Sequence, residues 1–207
     1  MAKKPLRPVS VVQGNLEALL NKFDKPQLVK EVCAFVGVQG SGKGYFCDTL
    51  IKEFNYTKLS YADPLREMCF HIIGMSFEDG MKQYTELKST ELFNGLTFRN
   101  ILENTGSAIR KFDENFFANA MIAKIKEART NVCIDDLRYV NEYTVLKDYC
   151  DENKIKLTVT MCDYHSDRYD SNNNHASAQL AKYLLELGYK HGQKVDDSAI
   201  RTFGRKY

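Results

Sequence analysis

Apolar residues along this chain fall into short blocks separated by amphipathic stretches, and the first block lies well inside the sequence. Val32-Cys33-Ala34-Phe35-Val36 is a continuous apolar run closed by Gly37, the pattern of a strand buried on both faces of a parallel sheet. A glycine-rich turn follows, then a helical stripe over residues 43–54 with Phe46, Leu50 and Ile51 on one side. Residues 56–61 return to strand composition, which completes one β-turn-α-β unit. Pro64 stands where a helix should begin, and Leu65, Met68, Cys69, Ile72 and Ile73 recur at helical spacing until Gly74. Residues 75–95 are polar and show no clear period. Phe98, Ile101, Leu102 and Ile109 then predict a helix bent or interrupted near Gly106, and Asp113 is placed to cap another that runs to about Ala128. Residues 131–136 read as a strand, 140–152 as a helix, 156–162 as a strand and 177–187 as a helix. Strands alternating with helices predict an α/β fold with a mainly parallel sheet flanked by helices. The polar run 163–175 is expected to be a mobile loop, and the tail after Gly188 shows little pattern.

The chain has 207 residues, enough for one full core in a single domain. Residues 1–30 are basic and contain proline, with one short helical candidate at 15–22, and read as an arm ahead of a domain at 31–207. Lys plus Arg total 29 against 27 Asp plus Glu, a net charge of +2. That balance argues against binding to polymeric nucleic acid or to an anionic membrane, so any anion site must be local. No apolar stretch approaches the length that spans a bilayer, and the basic start has no apolar segment behind it. A cytoplasmic location is therefore expected. The six cysteines form no C-x-x-C pair, and Cys33, Cys133 and Cys162 sit inside apolar runs, as reduced core residues do.

Gly37-Val38-Gln39-Gly40-Ser41-Gly42-Lys43 fits G-x-x-x-x-G-K between a strand and a helix. Such a loop curls its amide N–H groups inward, the helix N-terminus adds positive potential, and the lysine places a cation on the outer phosphates. Gly37, Gly40, Ser41, Gly42, Lys43 and Gly44 are the candidate nucleotide-binding residues, with ATP as the expected ligand. Gly44 stands where a Ser or Thr hydroxyl would commonly reach Mg2+, which makes GTPase switches and motor ATPases less fitting. Ligands of open α/β sheets collect at the carboxyl ends of strands, where Asp135 and Asp136 fall. Strand alternation would send the two to opposite sides, leaving Asp136 to face the loop and organise Mg2+ through water. Phosphoryl transfer between two polyanions calls for convergent arginines more than for a strong base. Arg66, Arg99, Arg110, Arg138 and Arg168 are the candidates, with Lys43, Arg110, Arg138 and Arg168 in catalytic roles. Arg99 and Arg110 flank the expected helix break and could shape an acceptor pocket, while Arg168 in the 163–175 loop could close as a lid. His165 and His175 fit no metal-ligand spacing.

Several segments resemble the phage-type deoxynucleoside monophosphate kinases. They are the loop with Ser41, Tyr61-Ala62-Asp63-Pro64-Leu65-Arg66, residues 97–106 followed by Arg110, Asp136-Leu137-Arg138-Tyr139-Val140-Asn141-Glu142, and His175-Ala176-Ser177. They span about residues 31–180 in the family's order. Gly44 and Tyr45, Glu103 in place of Gln, and Ala178 in place of Glu depart from its pattern. The resemblance implies a P-loop kinase fold with an acceptor-binding helical insert at 64–112 and a lid at 163–175. It implies transfer of the γ-phosphoryl group of ATP to a deoxynucleoside 5′-monophosphate, with Mg2+, and an acceptor bound by Arg66, Arg99, Glu103 and Arg110. The expected partners are small-molecule nucleotides, with a homodimer left open. Two other readings also stay open: a different P-loop small-molecule kinase, and a nucleotide-binding module without turnover.

Overall fold

A computed structural model describes residues 28–38, 40–162 and 176–206. The first apolar run forms β1 (Glu31–Val36), and α1 (Lys43–Phe54) starts directly after the glycine loop. There follow β2 (Thr57–Leu59), α2 (Asp63–Ile72), α3 (Phe77–Lys82), α4 (Tyr84–Leu87), β3 (Glu91–Phe93), β4 (Leu96–Thr97), α5 (Phe98–Phe112) and α6 (Phe116–Glu127). The chain continues through β5 (Val132–Ile134), α7 (Val140–Glu152), β6 (Lys156–Met161), α8 (Ala176–Glu186) and α9 (Asp197–Lys206). The main sheet has the order β2-β5-β1-β6, with every neighbouring pair parallel.

Side chains alternate across this sheet, and the alternation sorts the helices into two layers. Val32, Ala34, Val36, Val132 and Ile134 point to one face, where Met121 and Ile125 of α6, Leu146 of α7, Leu184 of α8 and Ile200 of α9 complete the main core. Phe35 and Cys133 point to the other, where α1 packs through Cys47, Phe46 and Leu50. The cysteines are free thiols, five of them buried, as the strand pattern implies. A helix-covered parallel sheet is thus the architecture that the alternation of elements predicts. From β1 the chain passes outward to β2, returns to β5 between them, and then crosses to β6 on the far side of β1. A crevice opens where the order reverses, beyond the carboxyl ends of β1 and β5. Among the described residues no helix is long and apolar enough to cross a membrane.

Several local expectations need correction. Helix α5 is continuous through Gly106. A Cβ on Gly106 would come within 3.0 Å of Leu65 Cδ2, so the glycine lets α2 approach α5 closely and does not break the helix. Asp113 ends α5 and accepts the Asn115 amide through Oδ1 at 2.9 Å, while Asn115 takes the cap position of α6. The unpatterned 75–95 stretch folds as α3, α4 and the start of the β3–β4 hairpin. Phe70, Tyr84 and Phe98 knit this insert into a second small core, Phe70 stacking on Phe98 with ring centroids 4.9 Å apart. The tail after Gly188 forms one antiparallel bridge, Thr160 to Lys194, and then α9. Most of the arm, including its helical candidate at 15–22, lies outside the described residues, as does the 163–175 segment with Arg168, His165 and His175.

Candidate functional site

The glycine loop is built by its backbone. Gly40 and Gly42 take φ of 80° and 89°, left-handed values that favour glycine, and Gly42 caps the start of α1. Ser41 is buried. Lys43 is not the solvated lysine that its loop position suggests. It is half-buried, its Nζ donating to the carbonyls of Gly37 at 2.7 Å and Val38 at 2.6 Å and to Ser41 Oγ at 3.3 Å. Burial, and then the Arg138 charge, pull its ammonium down to about 8. The loop therefore loses its cation as pH rises through that value. Triphosphate affinity is expected to fall roughly 10-fold between about pH 7 and about pH 9. Binding near pH 8 should take up protons, because an anion raises the lysine's pKa. Calorimetry in two buffers of different ionisation enthalpy measures both effects, and a flat profile would contradict them.

Tyr45 is 75% exposed and stands edge-on to Phe46. Gly44 has nothing within 4 Å of where a Cβ would sit. The missing hydroxyl therefore reflects residue choice and not crowding.

Beyond β5 the chain leaves the sheet at Ile134, so strand alternation does not govern the two aspartates and both line the cavity. Asp135 pairs with Lys58 at 2.6 Å and accepts from Ser60 Oγ at 2.7 Å. Burial opposes its charge, but these two bonds hold its carboxyl below the ordinary range. Asp136 is 5% exposed, and its oxygens accept the amides of Tyr61 at 2.8 Å and Ala62 at 3.1 Å. Burial and the charge of Asp135 raise its pKa. Its first task is to clasp the exit of β2 to that of β5. Asp136→Asn would turn an amino group toward one of those amides and should cost about 1–3 kcal/mol. Chemical denaturation checks this, and an unchanged midpoint would contradict it.

A cavity of about 680 Å³ joins the loop to the insert. Arg99, Glu103 and Arg110 follow one another at intervals of four and seven residues, so the unbroken α5 presents all three along the face that lines it. Arg110 is gripped between the rings of Phe117 and Tyr139, 4.6 Å from each centroid, and lies 3.7 Å from Glu142 Oε1. Glu142 is 2% exposed and accepts the amides of Arg138 and Tyr139. Burial and the neighbouring Asp136 push its carboxyl up to about 7. Arg66 pairs with Asp63 at 2.6 Å and sits 5.0 Å from the Tyr84 ring centroid. Its Nε is buried and has no partner among the described residues. Arg138 lines the cavity with an exposed side chain.

No protein-family model matches this sequence, and no curated protein matches it. The functional reading therefore stands on the site. The structure brings Gly37, Gly40, Ser41, Gly42, Lys43, Gly44, Arg66, Arg99, Glu103, Arg110, Asp136 and Arg138 around the one cavity. Lys88 and Tyr84 join them without having been singled out in the sequence, Lys88 Nζ lying 4.2 Å from the Tyr84 ring centroid. Both fall in the unpatterned stretch, where no period or motif marks them. Glu142 closes the Asp136–Glu142 segment already noted in the sequence, but nothing in that segment shows that it orients Arg110.

Among the described residues no group of three or more His, Cys, Asp or Glu side chains converges as a metal cage. With Gly44 lacking a hydroxyl and both aspartates committed, the donor set suits a cation held mainly by phosphate oxygens and water, the mode that Mg2+ favours.

Proposed function

We propose that the chain folds as a P-loop kinase and transfers the γ-phosphoryl group of ATP to a deoxynucleoside 5′-monophosphate, releasing the diphosphate. One observation carries the reading: a glycine loop that ends in a half-buried lysine opens into the same cavity as the arginine-bearing face of α5. A site for hydrolysis alone needs no second set of cations across from the phosphate loop. The resemblance to phage-type deoxynucleoside monophosphate kinases points the same way.

In this reading the loop amides and Lys43 hold the triphosphate. The acceptor phosphate is already ionised, so catalysis consists of alignment and charge neutralisation. Arg110 and Arg138 neutralise the phosphates. Phe117, Tyr139 and Glu142 fix the guanidinium of Arg110 before substrate arrives, which lowers the cost of ordering it. Arg66, Arg99 and Glu103 bind the acceptor. Bound Mg2+ would screen the donor's phosphate charge, with Asp136 reaching it through water.

The test is a panel of deoxy- and ribonucleoside monophosphates incubated with labelled ATP. The reading expects labelled diphosphate from at least one deoxynucleotide. Label transferred only to some other small molecule would place the chain with a different P-loop kinase, and ATP binding without any product would make it a nucleotide-binding module.

A further inference from the structure

Four carboxylates line the cavity, and three are engaged. Asp135 is taken by Lys58 and Ser60, Asp136 by two backbone amides, and Glu142 by two amides and Arg110. Glu103 is the fourth. It is exposed, and among the described residues its side chain has no hydrogen bond or ion pair. Arg99, one helical turn earlier on the same face, is in the same condition. A ligand filling this cavity therefore meets a free acceptor beside a free donor, at a distance from the phosphate loop set by α5.

We propose that Glu103, together with Arg99, selects guanine as the base of the acceptor monophosphate. This rests on the phosphoryl-transfer reading and narrows its substrate class. An ionised carboxylate only accepts hydrogen bonds. Guanine presents two adjacent donors, N1–H and the N2 amino group, next to the O6 acceptor. The carboxylate can take both donors, and a guanidinium can reach O6. Adenine and cytosine each place an unprotonated ring nitrogen beside their amino group, and thymine flanks its single N–H with two carbonyls, so each sets lone pairs against the carboxylate. A bidentate pair of this kind gives roughly 10-fold to 100-fold discrimination.

The experiment titrates the full chain with dGMP, dAMP, dCMP, dTMP and dIMP by calorimetry and runs the same set in the labelled-ATP assay. Wild type should bind dGMP at least about 10-fold more tightly than dAMP, dCMP or dTMP, with dIMP, which lacks the N2 amino group, between them. Glu103→Gln should bring all five within about 3-fold while leaving thermal unfolding unchanged, since the carboxylate has no partner to lose. Tighter binding of another base, discrimination that survives in Glu103→Gln, or no binding of any monophosphate would overturn the proposal. Guanine-selective binding lost in Glu103→Gln but without phosphoryl transfer would uphold it and remove the kinase reading. Transfer that prefers another base would do the reverse.

Discussion

Replacing Gly37 with alanine is expected to cost about 3 kcal/mol or more and to abolish nucleotide binding. A Cβ there would lie 2.3 Å from the Cys162 carbonyl oxygen and 2.4 Å from Ser41 Oγ. The carbonyl cannot retreat cheaply, because the Cys162 amide is bonded to Val36 O at 2.7 Å and thereby locks the end of β6 to β1. The added methyl must therefore push the glycine loop off the sheet. Gly44→Ala is the matched control. Nothing lies within 4 Å of its Cβ position, and removing a glycine from the first turn of α1 should leave stability unchanged or raise it by up to about 1 kcal/mol. Denaturant midpoints compare the two, and equal stability of both variants would mean that the loop does not pack against Cys162 as described.

The second large effect is expected at Lys43. Lys43→Ala should lower transfer by about 100-fold or more, the scale on which a preorganised charge or donor at a reacting phosphate acts. Folding should change little. The variant frees the Gly37 and Val38 carbonyls, but it also removes an ammonium whose burial is unfavourable enough to pull its pKa to about 8. These two effects oppose each other to within about 1 kcal/mol. Lys43→Arg should not rescue activity, because a planar guanidinium cannot replace a compact ammonium seated between two carbonyls. Initial rates with labelled ATP, read beside thermal unfolding, separate loss of function from loss of fold. A Lys43→Ala variant with wild-type rates would remove the loop from the active site.

The sheet and its order of elements were legible because buried parallel strands leave apolar runs such as Val32 to Val36, and because a strand, a glycine turn and an amphipathic helix in succession form a recognisable unit. The insert was less legible. Its helices α3 and α4 are short and half-exposed, so they carry no long period, and the aromatic cluster of Phe70, Tyr84 and Phe98 joins residues distant in sequence. Gly106 was misread because a glycine that breaks a helix and a glycine that admits a neighbouring helix look the same in one dimension. The loop glycines and the cavity arginines were found from motif and residue type. The partners that hold Arg110 were not, since sandwiching by Phe117 and Tyr139 depends on how α6 and α7 pack. Asp135 and Asp136 show the limit of strand alternation: it ends with the strand, here at Ile134.

Calorimetric titration of the full chain with ATP and Mg2+ at neutral pH, repeated on folded Lys43→Ala, tests most directly whether the loop cradles a triphosphate. Saturable single-site binding to wild type, lost in the variant, is the predicted result. No heat of binding in wild type, or equal affinity in both proteins, would contradict it.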